Sequence, residues 1–287
     1  MRFNPVFLIV CFVLAFASCK KKTSANDTTI AALSISNVSY GANVQQNMDV
    51  YLPANRSTAA TKVMIMIHGG GWTTGDKADF AQFVDTMKRR LPNYAIFNIN
   101  YRLSANPNNL FPTQENDVKA AVQFILSKTG EYLISDRYVL IGASAGGHLA
   151  MLQAYKNSTV KPKAVASFFG ISDMADMYNN PAGGNTLISL SVAQAVGKTP
   201  SQDPALYASS SPVNYISFAN AMPTILLHGG ADQLVRPSQS TAARDKLQTA
   251  GVATQYVYYP TGGHGDWNNA TYADAFNKIE AFFKLYN

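Results

Sequence analysis

One serine in this chain stands where a nucleophile would stand. In "VLIGASAGGHLA", residues 139 to 150, an apolar run stops at Gly142, Ser144 sits between small residues, and an Ala/Leu-rich helical pattern begins at once. A tight strand-to-helix turn leaves no room for side chains beside the hydroxyl. Gly142, Gly146 and the methyls of Ala143 and Ala145 would let Ser144 protrude at the foot of the following helix. This is the G-x-S-x-G spacing of a nucleophile elbow. The pattern is short, and a phosphate-binding turn would use the same small residues. Serine chemistry also demands a base to take the hydroxyl proton and an acid to orient that base.

The chain has four histidines, His68, His148, His228 and His264. His264 lies in "PTGGHGDW", just after the last strand-like run, on a loop free to fold back over a sheet edge; its role would be general base and then general acid. The acid is expected between serine and histidine, on the loop after the penultimate strand, where "LLHGGADQLVRP" supplies Asp232. Asp266 is the nearest rival, but two residues from His264 it has too short a span to reach the far ring nitrogen. Serine, then acid, then histidine is one of three known chain orders for such a triad, and it is neither that of chymotrypsin nor that of subtilisin. Attack at a carbonyl develops an oxyanion, which needs preorganised donors worth roughly 3 kcal/mol each. "IMIHGGGWTTGD", residues 65 to 76, places consecutive glycines after a strand-like run, and the amides of Gly70, Gly71 and Ala145 are the candidate oxyanion hole. No Lys-Ser/Thr pair follows these glycines, as a P-loop would require.

These residues need a frame that brings them together. Strand-like runs rich in Val, Ile, Phe and Tyr are "AALSISNVSY", "MDVYLP", "KVMIMI", "YAIFNINY", "RYVLIG", "AVASFFG", "PTILLHG" and "TQYVYYP". Helical patterns lie between most of them: "DFAQFVDTMKRRL", "ENDVKAAVQFILSK", "GGHLAMLQAYKN", "SQSTAARDKLQTAG" and "YADAFNKIEAFFKLY". Strand, helix, strand at this spacing predicts right-handed crossovers and an α/β fold with a mostly parallel, eight-stranded sheet flanked by helices. The two earliest strands lack an intervening helix and are expected to form an antiparallel edge. Residues 171–222 break the alternation, with short helical patterns, Pro and Gly but no clear strand. A segment so long is expected to be a lid insertion. Its polar composition suggests little of the broad apolar surface on which a lipase docks.

At 287 residues and 47% hydrophobic content the chain can bury a full core, and no repeat at solenoid or propeller spacing interrupts it. Its first stretch, "MRFNPVFLIVCFVLAFASC", reads as a targeting segment: one Arg, about fourteen apolar residues, then Ala17 and Ser18 before Cys19. That apolar run falls short of the roughly 20 residues needed to span a bilayer. Residues 1–18 are expected to be a lipoprotein signal peptide, residues 19–30 a lipidated Cys19 with a flexible tether, and residues 31–287 the catalytic domain. Phe16 stands where such signals usually carry Leu, and an ordinary secretory signal is the alternative. The two cysteines, Cys11 and Cys19, both fall in this stretch, which leaves the body without a thiol for a disulfide or a metal site. Of the net charge of +6, Arg2, Lys20, Lys21 and Lys22 supply four positive charges, so the body is nearly neutral and nucleic-acid binding is not expected.

"HGGGW", "NYRLS", "GASAGGHLA" and "HGGADQLVRP" together resemble the α/β-hydrolase superfamily, near the bacterial carboxylesterases related to hormone-sensitive lipase and closest to feruloyl and acetyl-xylan esterase-like enzymes. The resemblance runs over residues 45–285. It implies an α/β-hydrolase fold and a serine esterase with Ser144 as nucleophile, Asp232 and His264 as partners, and Gly70, Gly71 and Ala145 as oxyanion hole. Ala143 departs from it, since the hormone-sensitive-lipase branch usually carries Asp there. An amidase or peptidase on the same fold would keep this triad, whereas a cholinesterase-like binding module often loses a member of it. Trp72 and Trp267 flank the expected site, either as an aromatic wall for a sugar or phenolic ring or as packing against the lid. His68 is expected to brace the glycine loop, His228 to end a buried strand, and His148 to be a packed, hydrogen-bonded side chain. Histidines so dispersed make no metal site, and neither a metal nor an organic cofactor is expected. The expected partners are a small-molecule or oligosaccharide ester and, through Cys19, a membrane of the bacterial cell envelope.

Overall fold

The computed structural model describes residue 1 and residues 29–287; nearly all of the proposed signal peptide, Cys19 and nearly all of the tether lie outside the described residues. Eight strands, β1 (Leu33–Ser39), β2 (Asn47–Leu52), β3 (Lys62–Ile67), β4 (Tyr94–Ile99), β5 (Tyr138–Ala143), β6 (Ala164–Phe168), β7 (Thr224–Gly229) and β8 (Thr254–Tyr259), form one sheet in the order β1-β2-β4-β3-β5-β6-β7-β8. The pairs β1·β2 and β2·β4 are antiparallel, and all pairs from β4 to β8 are parallel. The early antiparallel edge and the parallel body are both as expected.

The central strands are apolar throughout because helices cover both faces. The helices are α1 (Ala81–Arg90), α2 (Thr113–Ser127), α3 (Thr129–Tyr132), α4 (Ala145–Leu152), α5 (Met174–Asn179), α6 (Thr186–Val196), α7 (Pro204–Ser209), α8 (Ser238–Thr249) and α9 (Asn269–Tyr286). Strand β3 shows the division: Val63, Ile65 and Ile67 pack with residues of α2, α4 and α8, while Met64 and Met66 pack with residues of α1 and α9. The helical pattern over residues 146–157 is two elements, since a π-helical turn, Gln153–Asn157, follows α4.

Residues 171–222 contain α5, α6, α7 and short 3-10 turns, and no strand. The body holds this insertion through Gln239, buried at the start of α8. Its side-chain oxygen accepts from the amides of Ser172 (2.9 Å) and Asp173 (2.8 Å), and its Nε2 donates to the Asp173 carbonyl (3.1 Å). Arg236 adds an ion pair to Asp176 at 3.0 Å.

Candidate active site

In an open parallel sheet, reactive groups gather beyond the carboxyl ends of the strands. Ser144 follows β5, Asp232 follows β7, His264 follows β8 and Gly70 follows β3, so four separate loops meet at that end. Ser144 adopts φ 54° and ψ −121° before the first residue of α4. Such a backbone costs a non-glycine residue on the order of 1–3 kcal/mol and persists only where its surroundings enforce it. Here its N–H donates to the Phe168 carbonyl at 2.9 Å and its own carbonyl accepts from His148 N at 3.0 Å. The flanking glycines serve close approach. A Cβ at Gly142 would overlap the Gly146 carbonyl, and one at Gly146 would overlap the Ile67 carbonyl, so the turn folds tightly onto β3 only without them.

Asp232 is buried and receives four donors. Its Oδ1 accepts from the amides of Leu234 and Val235, both at 2.8 Å; its Oδ2 accepts from His264 Nδ1 at 2.8 Å and lies 3.4 Å from His228 Nε2. Burial alone raises this carboxyl, but hydrogen bonds from His228 and His264, the His264 charge and the Val235 amide outweigh it and hold the group well below the usual carboxylate range. With Nδ1 donating to a carboxylate, the His264 tautomer leaves Nε2 as the lone-pair nitrogen. His264 and Ser144 both line one cleft of about 420 Å³. The His264 ring packs against Phe169 with centroids 4.5 Å apart. Asp266, the rival acid, is exposed and is not the His264 partner.

A second serine–histidine contact exists nearby. His228 Nδ1 lies 2.7 Å from Ser240 Oγ, and its Nε2 lies 2.9 Å from the Val235 carbonyl as well as near Asp232. Since a carbonyl only accepts, Nε2 carries the proton and Ser240 donates to Nδ1. His228 has no exposed surface, Ser240 is 1% exposed, and neither lines the cleft.

Gly70, Gly71 and Trp72 follow one another with φ of 104°, 57° and 63°. The amides of Thr73 and Thr74 both donate to the Gly70 carbonyl, at 3.1 and 2.9 Å, closing the loop on itself. Both glycines line the cleft beside Ser144, and Ala145, as the first residue of α4, has an amide with no acceptor inside its helix. His68 braces this loop as expected: its Nδ1 donates to the Gly69 carbonyl at 2.7 Å, and its ring stacks on Tyr101 at 4.3 Å.

Two expectations need correction. Of the two tryptophans only Trp72 lines the cleft. Trp267 is buried among Phe168, Phe169, Tyr259 and Tyr272, its Nε1 donates to the Gly263 carbonyl at 2.9 Å, and it borders a separate groove with Phe83 and Arg90. Nor is the insertion's contribution polar. Ile171, Met177, Ile188 and Val192 face the cleft, while Leu187 (67% exposed) and Leu190 (55% exposed) lie on the outer side of α6. Composition averaged over the segment hides this, because the short helices turn Met177, Ile188 and Val192 inward, and Ser191 is the one polar side chain the insertion adds to the lining. Asp79 is the one carboxylate among the lining residues, a position that no motif marks. Among the described residues no three His, Cys, Asp or Glu side chains converge as metal ligands would.

A serine on a strained strand-to-helix turn, opening on a cleft that also holds an aspartate-bound histidine, defines a serine-type hydrolase on the α/β-hydrolase fold. The chain belongs to the BD-FAE family, whose pattern matches residues 48–247 and so includes Ser144 and Asp232 but ends before His264. The same fold is found in solved structures of bacterial esterases and of a carbohydrate esterase. It is 30% identical to the probable carboxylic ester hydrolase LipM of Mycobacterium tuberculosis over 236 residues, 77% of this chain and 53% of that protein. The chain thus spans little more than half the length of the curated relatives it matches, 53% and 59% for the two from Mycobacterium tuberculosis. Among solved structures it is similar to a truncated carbohydrate esterase from gut microbiota (TM-score 0.72, 24% identity, 87% of this chain and 96% of that one). It is also similar to a bifunctional GH43-CE protein of Bacteroides eggerthii (TM-score 0.73, 25% identity, 87% and 38%).

Proposed function

We propose that this protein hydrolyses small acyl esters through an acyl-enzyme on Ser144, with His264 as base and then acid, Asp232 as its orienting carboxylate, and the amides of Gly70, Gly71 and Ala145 as oxyanion hole. The observation that carries this reading is the 2.8 Å contact between His264 Nδ1 and Asp232 in a cleft shared with Ser144. Ser144 Oγ attacks the ester carbon as His264 Nε2 takes its proton; the tetrahedral intermediate collapses, and the same proton goes to the departing alcohol. Water then repeats the sequence, releasing the acid and restoring the serine.

The substrate class we assign is short acyl esters, with acetylated or feruloylated oligosaccharides as the natural form. Family membership supports it, and of the similar solved structures one is named a carbohydrate esterase and another a bifunctional GH43-CE protein. The cleft supports the size limit: at about 420 Å³ it takes a short acyl group and part of an alcohol, and its apolar wall suits a hydrocarbon or a phenolic ring. Cys19 as a lipid anchor in the bacterial envelope completes the proposal; it rests on the sequence "LAFASC" alone. No helix among the described residues is long and apolar enough to cross a membrane.

A fluorophosphonate probe should label the protein, and Ser144→Ala should abolish labelling while leaving the fold intact; equal labelling of the variant refutes the nucleophile. A chain-length series of nitrophenyl esters, run beside acetylated and feruloylated xylo-oligosaccharides and matched amides, tests the substrate. Rapid cleavage of acetyl and other short esters, with steep loss beyond about eight carbons, is expected. A preference for long chains overturns the size limit, and faster amide than ester cleavage overturns the esterase reading. Mass spectrometry of membrane-associated protein should find acylation on Cys19 and none on Cys19→Ala.

A further inference from the structure

The three consecutive left-handed residues of the glycine loop are not equivalent. Gly70 and Gly71 adopt positive φ freely, but Trp72, at φ 63° and 2% exposed, is a bulky residue in a conformation it disfavours. Something outside the loop must hold it. Its Nε1 lies 3.2 Å from His148 Nδ1, and the two rings meet edge to face at 5.2 Å, with Phe111 against both. An indole N–H only donates, so Nδ1 accepts and the imidazole proton sits on Nε2. Nε2 is 2.7 Å from the Ser210 carbonyl, which only accepts. His148 also lies one turn after Ser144, and its amide bonds the Ser144 carbonyl at 3.0 Å. One fully buried imidazole therefore touches the glycine loop, the nucleophile helix and the insertion.

We propose that His148 is a positioning residue: as the neutral Nε2–H tautomer it clamps Trp72, which aims the Gly70 and Gly71 amides at the point where the oxyanion forms, and it keys that aim to the insertion through Ser210. The proposal rests on the oxyanion hole assigned above. His148 does not touch the reacting atoms and exchanges no proton during turnover. Burial, only partly offset by the Ser210 hydrogen bond and reinforced by the charge of Lys156, pushes this imidazole down to about 4, so it is neutral wherever a histidine base can work.

Trp72→Phe, His148→Phe and their double variant are the test. With donors misaimed rather than removed, kcat should fall about 10- to 100-fold with KM within about threefold, and fluorophosphonate labelling should slow by the same factor as kcat/KM. The double variant should be no worse than the worse single, because both break one contact. His148→Gln, whose amide can accept from Trp72 and donate to Ser210, should recover most of the loss. A merely structural histidine would lower the melting temperature and the labelled fraction while leaving kcat per labelled site unchanged, and that result overturns the proposal. Should the variants fold poorly, nitrogen-15 NMR of the wild type still decides. His148 should show a protonated Nε2 and an unprotonated Nδ1 from pH 5 to 9, and an Nδ1–H form or a cation in that range refutes the clamp. Persistent activity in Ser144→Ala would instead sink the parent reading and leave the tautomer result standing.

Discussion

Two histidines converge on Asp232, and their surroundings divide them. His228 ends β7 with no exposed surface and engages both ring nitrogens, one with Ser240 and the other with Val235 and Asp232. His264 sits on the loop after β8, uses Nδ1 for Asp232 at 2.8 Å, and shares its cleft with Ser144. Both belong to a serine, a histidine and an aspartate in contact or in reach. Chemistry needs a further condition, a nitrogen with a free lone pair facing a space that substrate can enter. His264 shares such a space with Ser144, and in the mechanism proposed above His228 is the support that keeps Asp232 oriented and charged.

Exchanging the two serines probes this contrast most strongly. Ser144→Ala should lower kcat at least about 10⁴-fold, as loss of a triad nucleophile does, whereas Ser240→Ala should leave kcat within about threefold and show itself in the melting temperature. The reverse result would transfer the active site to His228. Asp232→Asn comes next, with an expected loss of about 10⁴-fold in kcat, because an amide in place of the carboxylate fixes the wrong His264 tautomer. His228→Asn, measured by kcat per folded molecule, should cost less than tenfold, with a stability loss of about 2–4 kcal/mol from the buried groups it orphans.

Acid stability sharpens the same distinction between working and supporting groups. His148 is held neutral by burial, with its value lowered from 6.5 to about 4, and His68 is lowered for the same reason. A depressed imidazole contributes stability that is fully present above about pH 6.5 and lost as pH falls toward 4; for His148 alone this amounts to about 3 kcal/mol. Asp232, also depressed, gives way only below the ordinary carboxylate value of about 3.9. Melting temperature against pH should therefore fall in two stages, and His148→Gln should shrink the first without altering the second. The smallest effect expected is at Asp79, the carboxylate at the cleft wall. Asp79→Asn should raise kcat/KM for anionic relative to neutral esters by up to about fivefold at low salt, and the difference should vanish in high salt.

Strands were legible because burial on both faces writes itself as short runs of Val, Ile and Phe, and Lys62–Ile67 was found to the residue. The placement of Ser144, Asp232 and His264 after β5, β7 and β8 was legible because topology fixes which loops gather at one end of the sheet. The contact of His228 with Asp232 was not, since nothing local to "LLHGGADQL" tells that the loop after β7 folds the carboxylate back onto the histidine that ends the strand. Trp267 lies three residues from His264, yet Gly265, at φ 84°, turns the chain and the indole packs among aromatic rings instead of in the cleft. Likewise the left-handed Trp72 depends on His148, 76 residues away, and no window of sequence contains both.

Beside the Arg236–Asp176 ion pair, the insertion is held by contacts of one particular kind. His148 grips the Ser210 carbonyl, Lys156 the Ser209 carbonyl, Lys246 the Val213 carbonyl, and Gln239 the amides of Ser172 and Asp173. Each of these ends on main chain, which every residue type offers alike. Apolar side chains of similar size at 177, 188 and 192 can therefore be exchanged without cutting the mount on which they ride. A library varied among apolar residues at those three positions should keep a high proportion of folded, probe-reactive members while spreading widely in acyl preference, which makes this segment an interchangeable fitting on a fixed frame.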